Sequence, residues 1–262
     1  MTLYTGIGGW IYEPWRGVFY PEGLAQKHEL EYAASKLSSI EINGTYYGAQ
    51  KPATYQKWHD ETPDGFVFAL KGIRYATNRK NLAESADSVE RFLNSGITTL
   101  KNKLGPVNWQ FMATKKFDPE DFENFLKLLP PEKDGVRLRH ALEVRHDSFA
   151  CEAFVDLARR YQVAIIIGAD DPDFPVIADL TADFAYLRLM GTQADEPNGY
   201  SDAALDTWAA RVKSLSRGEV PSDLATFGAA QKSKAQRDVF TYVISGHKVV
   251  NPLTAMALME RY

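Results

Sequence analysis

Short apolar runs recur along the chain with longer amphipathic stretches between them, and this rhythm predicts the fold. Eight runs have the length and the β-branched or aromatic content of strands, at 3–9, 39–43, 66–71, 107–112, 138–145, 164–168, 184–190 and 239–245. Seven stretches are long enough for helices, at about 26–37, 52–61, 82–94, 118–129, 149–161, 202–216 and 251–261. Strands that alternate with helices indicate a parallel sheet, and eight is the strand number of a TIM barrel. We therefore predict an α/β fold, a (β/α)8 TIM-type barrel.

Helix start signals and the absence of linkers support this organisation. Asp118 before Pro119, Ser201 or Asp202, and Asn251 before Pro252 are typical of helix caps and first turns. No repeat or Pro/Gly-rich linker divides the sequence, so we predict a single domain over residues 1–262. The stretch 218–238 is poor in large apolar residues and predicts a mobile connection, with an exposed helical turn as the alternative.

Alternation along the strands places polar side chains on one face. In the second strand Ile40 and Ile42 share one side, and Glu41 shares the other with Asn43. If helices cover the apolar faces, the polar faces line the barrel interior. The residues predicted there are Glu41, Asn43, Lys71, Asn108, Gln110, Glu143, Arg145 and Arg188. Most lie towards the carboxyl ends of their strands, where barrel enzymes place their chemistry.

Two other interpretations of this pattern stay open. A half-solvated antiparallel sheet gives the same alternation, although its strands are more often joined by hairpins than by segments long enough for helices. Alternatively, the interior charges form a structural network of paired Glu and Arg. Buried ion pairs seldom repay their desolvation in stability. Eight interior polar positions therefore favour a functional site.

Composition and charge narrow the class of protein. The 262 residues are 45% hydrophobic and 24% charged, which excludes disorder, collagen and coiled coil. Thirty basic and 34 acidic residues give a net charge of −4. The net charge therefore does not attract anions, and any anion must be bound by a local group of basic residues. A single cysteine, Cys151, cannot form an internal bridge and indicates a reducing compartment. With no leader and no apolar run of about 18 residues, we predict a cytoplasmic protein without a membrane partner.

Candidate chemistry centres on two glutamates. Glu143 and Glu41 are the predicted catalytic residues, as general acid and base. The predicted substrate-binding residues are Lys71, Arg145 and Arg188, which would clamp a phosphate or carboxylate, together with Asn43, Gln110, Trp10, Tyr46 and His146. For Glu143 a structural salt bridge is the alternative role. For the aromatic residues the alternative is a cap over the core.

The sequence does not contain the familiar cofactor-binding motifs. The glycine run at 6–11 lacks the third glycine of a dinucleotide loop, and the sequence has neither a phosphate loop nor a nucleophile elbow, so we predict no cofactor. Asp170, Asp171 and Asp173 could join Glu143 and His146 around a metal ion. The same aspartates are good turn residues and show no fixed ligand spacing, so we assign no metal.

Several segments together carry a family resemblance. They are Gly8-Gly9-Trp10-Ile11-Tyr12, the run Glu41 to Tyr47, the run Phe66 to Lys71, the run Ala141 to Phe149 and the run Tyr186 to Gly191. The chain resembles the YecE-like proteins, domain of unknown function 72, over nearly its whole length. The resemblance implies a TIM-type barrel without an established reaction. Likeness to barrel enzymes that act on sugars or DNA phosphodiesters is analogy of fold alone.

The chain also departs from the pattern of that family. Relatives usually have Gln-Leu-Pro-Pro where this sequence has Gln110-Phe111-Met112-Ala113, and commonly a histidine where Met190 stands. Where relatives have an Asn-Asn pair after the last strand, this chain has Ser245-Gly246-His247. The rim is therefore altered, which implies a different ligand or none.

These observations lead to one functional expectation and one alternative. We expect an enzyme, with hydrolysis favoured, that acts on a small anionic ligand, phosphorylated or sugar-like, at the carboxyl-end mouth of the barrel. The alternative is a non-catalytic binding protein for a nucleic acid or a phosphorylated metabolite. The sequence carries no signal of oligomeric state.

Overall fold

The computed structural model describes residues 1–230 and 234–262 and contains a closed barrel of eight strands. They are β1 Leu3–Gly8, β2 Ser39–Ile42, β3 Val67–Lys71, β4 Leu104–Gln110, β5 His140–Glu143, β6 Ala164–Gly168, β7 Phe184–Leu189 and β8 Asp238–Val243. The strand order is β1-β8-β7-β6-β5-β4-β3-β2, and every neighbouring pair is parallel. The predicted barrel is confirmed, and the antiparallel alternative is wrong.

Nine helices surround the barrel within the described residues. They are α1 Glu29–Lys36, α2 Gly44–Tyr47, α3 Pro52–Asp60, α4 Arg74–Thr77, α5 Ala86–Leu93, α6 Pro119–Leu126, α7 Glu152–Arg160, α8 Asp202–Ser216 and α9 Asn251–Met259. The connection between β6 and β7, residues 169–183, contains none. There the buried residues Ile177, Ala178 and Leu180 pack into the core.

The predicted elements occur where expected, with shifted ends. The helix predicted at 82–94 begins at Ala86 after a 3₁₀ turn, Leu82–Ser85, and β5 is shorter than 138–145. Asp118 and Ser201 are confirmed as caps, since their side chains accept the backbone N–H groups of residues 121 and 204. Asn251 as a cap is wrong, because it is the first residue of α9 and its side chain is buried.

Pattern analysis missed the shortest elements. Helices α2 and α4 directly follow β2 and β3 at the mouth of the barrel, and each has four residues, too few to show a helical period. A two-stranded hairpin pairs Glu132–Lys133 with Val136–Arg137. Its turn residues Asp134 and Gly135 have φ of 52° and 74°, the left-handed conformation that a tight Asp-Gly hairpin turn needs.

Two packed cores follow from the alternation along the strands. Outward-facing residues such as Ile40, Leu70 and Trp109 join the main core under the helices. A separate cluster lies inside the barrel, formed by Val67, Ala69, Ala141, Ala164, Ile166, Phe184, Tyr186, Phe240 and Tyr242. Phe184 at the amino end of β7 packs edge-on against Phe240 at 5.9 Å. The barrel interior is therefore apolar below and polar towards the mouth.

The predicted mobile connection at 218–238 falls in part on residues 231–233, which lie outside the described residues. Before them, the buried Asp179 accepts backbone N–H groups from Phe227 at 2.7 Å and Gly228 at 3.1 Å, so this part of the connection is attached to the barrel. Over 1–230 and 234–262, no helix has the length and apolar character needed to cross a bilayer.

Candidate functional site at the mouth of the barrel

Arg188 on β7 is the centre of the predicted polar cluster. Its side chain points into the barrel and is 3% exposed. Nη1 donates to Glu143 Oε1 at 2.7 Å, and Nη2 donates to Glu41 Oε1 at 3.1 Å. The planar guanidinium can span two carboxylates in this way because its donors point in fixed directions. One side chain thus joins groups from β2, β5 and β7.

A second bridge closes the cluster on the opposite side of the carboxylates. Asn108 on β4 donates from Nδ2 to Glu143 Oε2 at 3.0 Å and to Glu41 Oε2 at 3.4 Å. The hydroxyl of Tyr186 donates to the same oxygen of Glu41 at 2.5 Å. Asn108 Oδ1 and Arg188 Nε are buried and have no protein partner within the described chain. Asn108 Oδ1 can still accept a hydrogen bond from a ligand or water, and Arg188 Nε can still donate one.

Arg145 extends the cluster towards the surface. It lies two residues after Glu143 and donates to Glu143 Oε1 from Nε at 2.9 Å and from Nη2 at 2.5 Å. Its guanidinium lies 4.7 Å from the ring centre of Phe174, and its side chain is 23% exposed. Arg145 can therefore meet a ligand from solvent while it stays paired with Glu143.

Lys71 ends β3 on the interior side of the same mouth. The residue is 8% exposed, and its ammonium donates to Gln110 Oε1. Nζ also lies 5.6 Å from the ring centre of Tyr46, within the range of a cation–π contact. Among the described residues, no carboxylate oxygen lies within salt-bridge distance of this amine.

Burial and mutual charge shift the pKa values of the cluster. Burial alone would raise the pKa of Glu143, but Arg188, Lys71 and Arg145 together hold it at about 2. Burial and the charge of Arg188 lower the pKa of Lys71 to about 8, against the opposing pull of Glu143 and Glu41. Glu143 is therefore ionised at neutral pH, and Lys71 exchanges its proton close to neutral pH.

The summed charge of the cluster is positive. Lys71, Arg145 and Arg188 supply three cations, and Glu41 and Glu143 supply two carboxylates, which leaves one positive charge. Burial near the mouth reduces screening by water and salt. The mouth therefore favours a small anion although the whole chain is acidic.

Three predicted binding residues make other contacts. Trp10 packs edge-on against Trp58 at 5.5 Å and joins the outer core, which is the capping role that the sequence left open. His146 Nδ1 accepts the backbone N–H of Ser148 at 3.1 Å and caps a 3₁₀ turn. Asn43 follows β2, half-buried, with its amide nitrogen beside Gly8.

The aspartates after β6 accept hydrogen bonds from nearby groups. Asp170 Oδ1 accepts the backbone N–H of Met190 at 2.6 Å, and Oδ2 accepts the hydroxyl of Tyr200. Asp171 accepts the N–H of Asp173 at 2.8 Å, as expected of a turn. Nowhere in the described ranges do three His, Cys, Asp or Glu side chains gather as metal ligands would.

Sequence reasoning missed three members of the site. Strand alternation placed Asn108 on the interior face and gives Tyr186 the same face as Arg188, yet neither was selected as a site residue. The signal was present in their position, two residues from Gln110 and from Arg188. Phe174 carries no such signal, because it lies in the connection between β6 and β7 and meets Arg145 through tertiary structure alone.

Comparison with known proteins supports the resemblance seen in the sequence. The family model "Protein of unknown function DUF72" matches residues 4–261. The UPF0759 protein YecE of Escherichia coli K12 is 28% identical over 150 residues, 56% of this chain and 50% of YecE, so the match spans half the length of that relative.

Solved structures of the same family share the fold. A DUF72 family protein from Thermotoga maritima superposes with a TM-score of 0.75 at 22% identity, covering 99% of this chain and 98% of that one. A DUF72 family protein from Enterococcus faecalis gives 0.66 at 16% identity, with 99% and 98% covered. Because the family model spans nearly the whole chain, this protein belongs to the DUF72 family, which includes the YecE-like proteins.

Proposed function

We propose that this chain is an enzyme that binds a small anionic substrate, phosphorylated or sugar-like, at the mouth of the barrel and transfers protons there. The observation that carries the proposal is the buried cluster of three cations and two carboxylates at the carboxyl ends of the strands. Fixed charges in a site of low dielectric stabilise charge that develops in a transition state. The lone cysteine supports placing this chemistry in a reducing compartment, the cytoplasm.

Hydrolysis is the first reaction to test, with a division of roles set by charge. Glu143 is a carboxylate above about pH 2 and serves as base or charge partner. Glu41, held by Arg188, is the second carboxylate. A general acid must keep a proton near neutral pH, and Lys71 with a pKa of about 8 does so. Arg145 orients the anionic group of the substrate.

A binding protein without turnover is the second candidate, and two observations favour it. Arg188 and the two glutamates satisfy one another, as they would in a purely structural network. Beside the mouth, a cleft of about 750 Å³ is lined by residues that include Arg79, Lys80 and Lys116. Such a basic cleft suits a phosphorylated metabolite or a nucleic acid.

Ligand-dependent thermal stability tests anion binding. We expect ribose 5-phosphate to raise the Tm, since a ligand at about 100 times its Kd adds about 2.7 kcal/mol to the free energy of unfolding. Lys71→Met should remove most of this gain. Arg137→Gln is the matched control, because Arg137 is paired with Asp183 on the exposed surface and should leave the gain unchanged. Inorganic phosphate and a single-stranded oligonucleotide serve as comparison ligands.

Turnover by the Glu143→Gln variant tests the catalytic role. The amide keeps the shape of the side chain but removes the charge, so we expect product formation to be lost while the protein still folds, with lower stability, and still binds phosphate. Chromatographic product analysis with ribose 5-phosphate and other sugar phosphates provides the measurement. Full activity in this variant would remove Glu143 from the mechanism. Stabilisation of the wild type without any product would favour the binding protein.

A further inference from the structure

Lys71 differs from the other cations of the mouth in its partner. Arg145 and Arg188 both donate to the carboxylate of Glu143, whereas the amine of Lys71 donates to the neutral amide oxygen of Gln110. An amide oxygen accepts a hydrogen bond but brings no negative charge, so it stabilises an ammonium less than a carboxylate does. Lys71 is thus the cation of this cluster that lacks a directly bonded counter-ion among the described residues.

The backbone around Lys71 is held firmly. Its carbonyl oxygen accepts the hydroxyl of Thr45 at 2.7 Å, and the next N–H, that of Gly72, donates to the carbonyl of Asn108 at 2.8 Å. A Cβ on Gly72 would lie 2.3 Å from the ring of Trp109, so the backbone just after β3 packs directly against this ring and leaves no room for a side chain. The side chain of Lys71 therefore starts from a rigid strand end, as a positioned reactive group requires.

We propose that Lys71 is a nucleophile, whose amine condenses with the carbonyl group of an aldehyde or ketone that also carries a phosphate or carboxylate. This inference rests on the anion site of the proposed function, assigns Lys71 the role of nucleophile in place of general acid, and names the substrate class and a covalent step. The anion of the substrate would pair with Arg145, the more exposed guanidinium, while its carbonyl carbon meets Nζ.

The charges around Lys71 support this role. Burial is the largest influence on its pKa, followed by the charge of Arg188, and both lower the value. Glu143 and Glu41 raise it, Arg145 lowers it slightly, and the result is about 8. At pH 7 roughly one amine in ten is then neutral, against fewer than about one in a thousand for an ordinary lysine. A neutral amine is the form that attacks a carbonyl.

The covalent step balances without an oxidant or reductant. The lone pair of the neutral Nζ forms a bond to the carbonyl carbon, the π electrons of the carbonyl move to its oxygen, and one Nζ hydrogen passes to that oxygen to give a carbinolamine. The hydroxyl group then leaves as water after a second protonation, while Nζ keeps one hydrogen. Amine, carbonyl and one proton thus yield a protonated imine and one water. The protonated imine carries the same charge as the lysine ammonium, so the charges of Glu143 and Glu41, which favour the charged form of Lys71, favour the imine in the same direction.

Reductive trapping tests the proposal. Pyridoxal 5′-phosphate is an aldehyde that bears a phosphate, and cyanoborohydride fixes any imine as a stable amine. We expect peptide mapping at pH 7 to show Lys71 labelled about a hundredfold faster than the exposed Lys27 and Lys57, in proportion to the neutral fraction of its amine. Inorganic phosphate should slow labelling of Lys71 and leave the other two unchanged.

Two variants complete the experiment. Lys71→Arg keeps the positive charge and should abolish the fast adduct, and the control Lys27→Met, at an exposed lysine, should retain it. Equal labelling of all three lysines, or an unmodified Lys71, overturns the proposal whether or not Lys71→Arg folds. If inorganic phosphate still raises the Tm of the wild type in that case, Lys71 is a binding residue and the proposed function stands. If phosphate has no effect either, both inferences fail.

Discussion

At the scale of single residues, the mouth is governed by the cost of burying charge. Glu41, Glu143 and Arg188 are almost completely buried, and each depends on the others for the interactions that water would otherwise supply. A buried ion pair gains little over an apolar pair, but removal of one partner leaves a charge without compensation. The effect of this cluster on the free energy of unfolding is therefore measured by removing a single member.

Arg188→Leu should be strongly destabilising. It leaves two buried carboxylates close together without their shared cation, for which we expect a loss of about 3–5 kcal/mol in the free energy of unfolding. Urea unfolding at pH 7 measures the change. The control is Arg137→Leu, where the exposed pair with Asp183 should contribute no more than about 1 kcal/mol. Similar losses in both variants would contradict this account.

At the scale of elements, close packing of neighbouring strands explains residues that sequence reasoning had passed over. A side chain at Gly6 on β1 would place its Cβ 1.8 Å from the backbone oxygen of Ser39 on β2. Backbone atoms of a barrel strand cannot move aside without breaking pairing on both sides. The absence of a side chain at Gly6 is therefore a requirement of the β1–β2 contact.

Gly6→Ala should destabilise the barrel by about 3 kcal/mol or more, because the added methyl group forces these strands apart. Gly44→Ala is the matched control at the start of α2, where a new Cβ meets no atom within 4 Å. That variant should change the free energy of unfolding by less than about 0.5 kcal/mol. Thermal and urea unfolding of the two variants give the comparison, and equal stability would refute the steric argument.

At the scale of the whole molecule, buried titratable groups link stability to pH. His140 lies between Trp109 and Pro130. Its Nδ1 accepts the indole N–H of Trp109 at 3.1 Å, and its Nε2 donates to the carbonyl oxygen of Pro130 at 2.8 Å. Burial lowers its pKa from 6.5 to about 4. The unfolded chain therefore binds a proton in this range that the folded chain does not.

Acid should thus weaken the fold in two windows. The contribution of His140 is fully present above pH 6.5 and is lost as pH falls to about 4, a change of about 3 kcal/mol. Glu143 has the lowered pKa of a paired carboxylate, so its contribution is present above pH 4.5 and is lost as pH falls towards 2. Urea unfolding at a series of pH values measures both losses in the free energy of unfolding.

A His140→Gln variant separates these contributions. Its free energy of unfolding should vary less between pH 6.5 and 4 than that of the wild type, while the fall below pH 4.5 remains. His28→Gln serves as control, since His28 lies on the exposed surface and its loss should leave the profile as it is. An unchanged profile in His140→Gln would show that His140 does not carry the upper window.

Much of the fold and part of the site could be predicted from residue order alone. The period of two in β2 placed Glu41 inward and Ile40 outward, and the same reasoning correctly turned Asn108 and Arg188 into the barrel. Such alternation is a local property of an extended backbone and needs no knowledge of neighbouring strands. The exact ends of the helices and the four-residue helix α2 could not be predicted, because a segment this short shows no measurable hydrophobic period.

The sequence by itself determined the barrel, the faces of its strands and the presence of acidic and basic groups at one end. Tertiary structure alone decided that Arg188 bridges Glu41 and Glu143 and that Lys71 donates to an amide. It also decided that Trp10 contacts Trp58 and that His146 accepts the backbone N–H of Ser148. The physical reason is the stagger between strands of a closed barrel, which sets the height at which each side chain meets the next. That height depends on the register of all eight strands together.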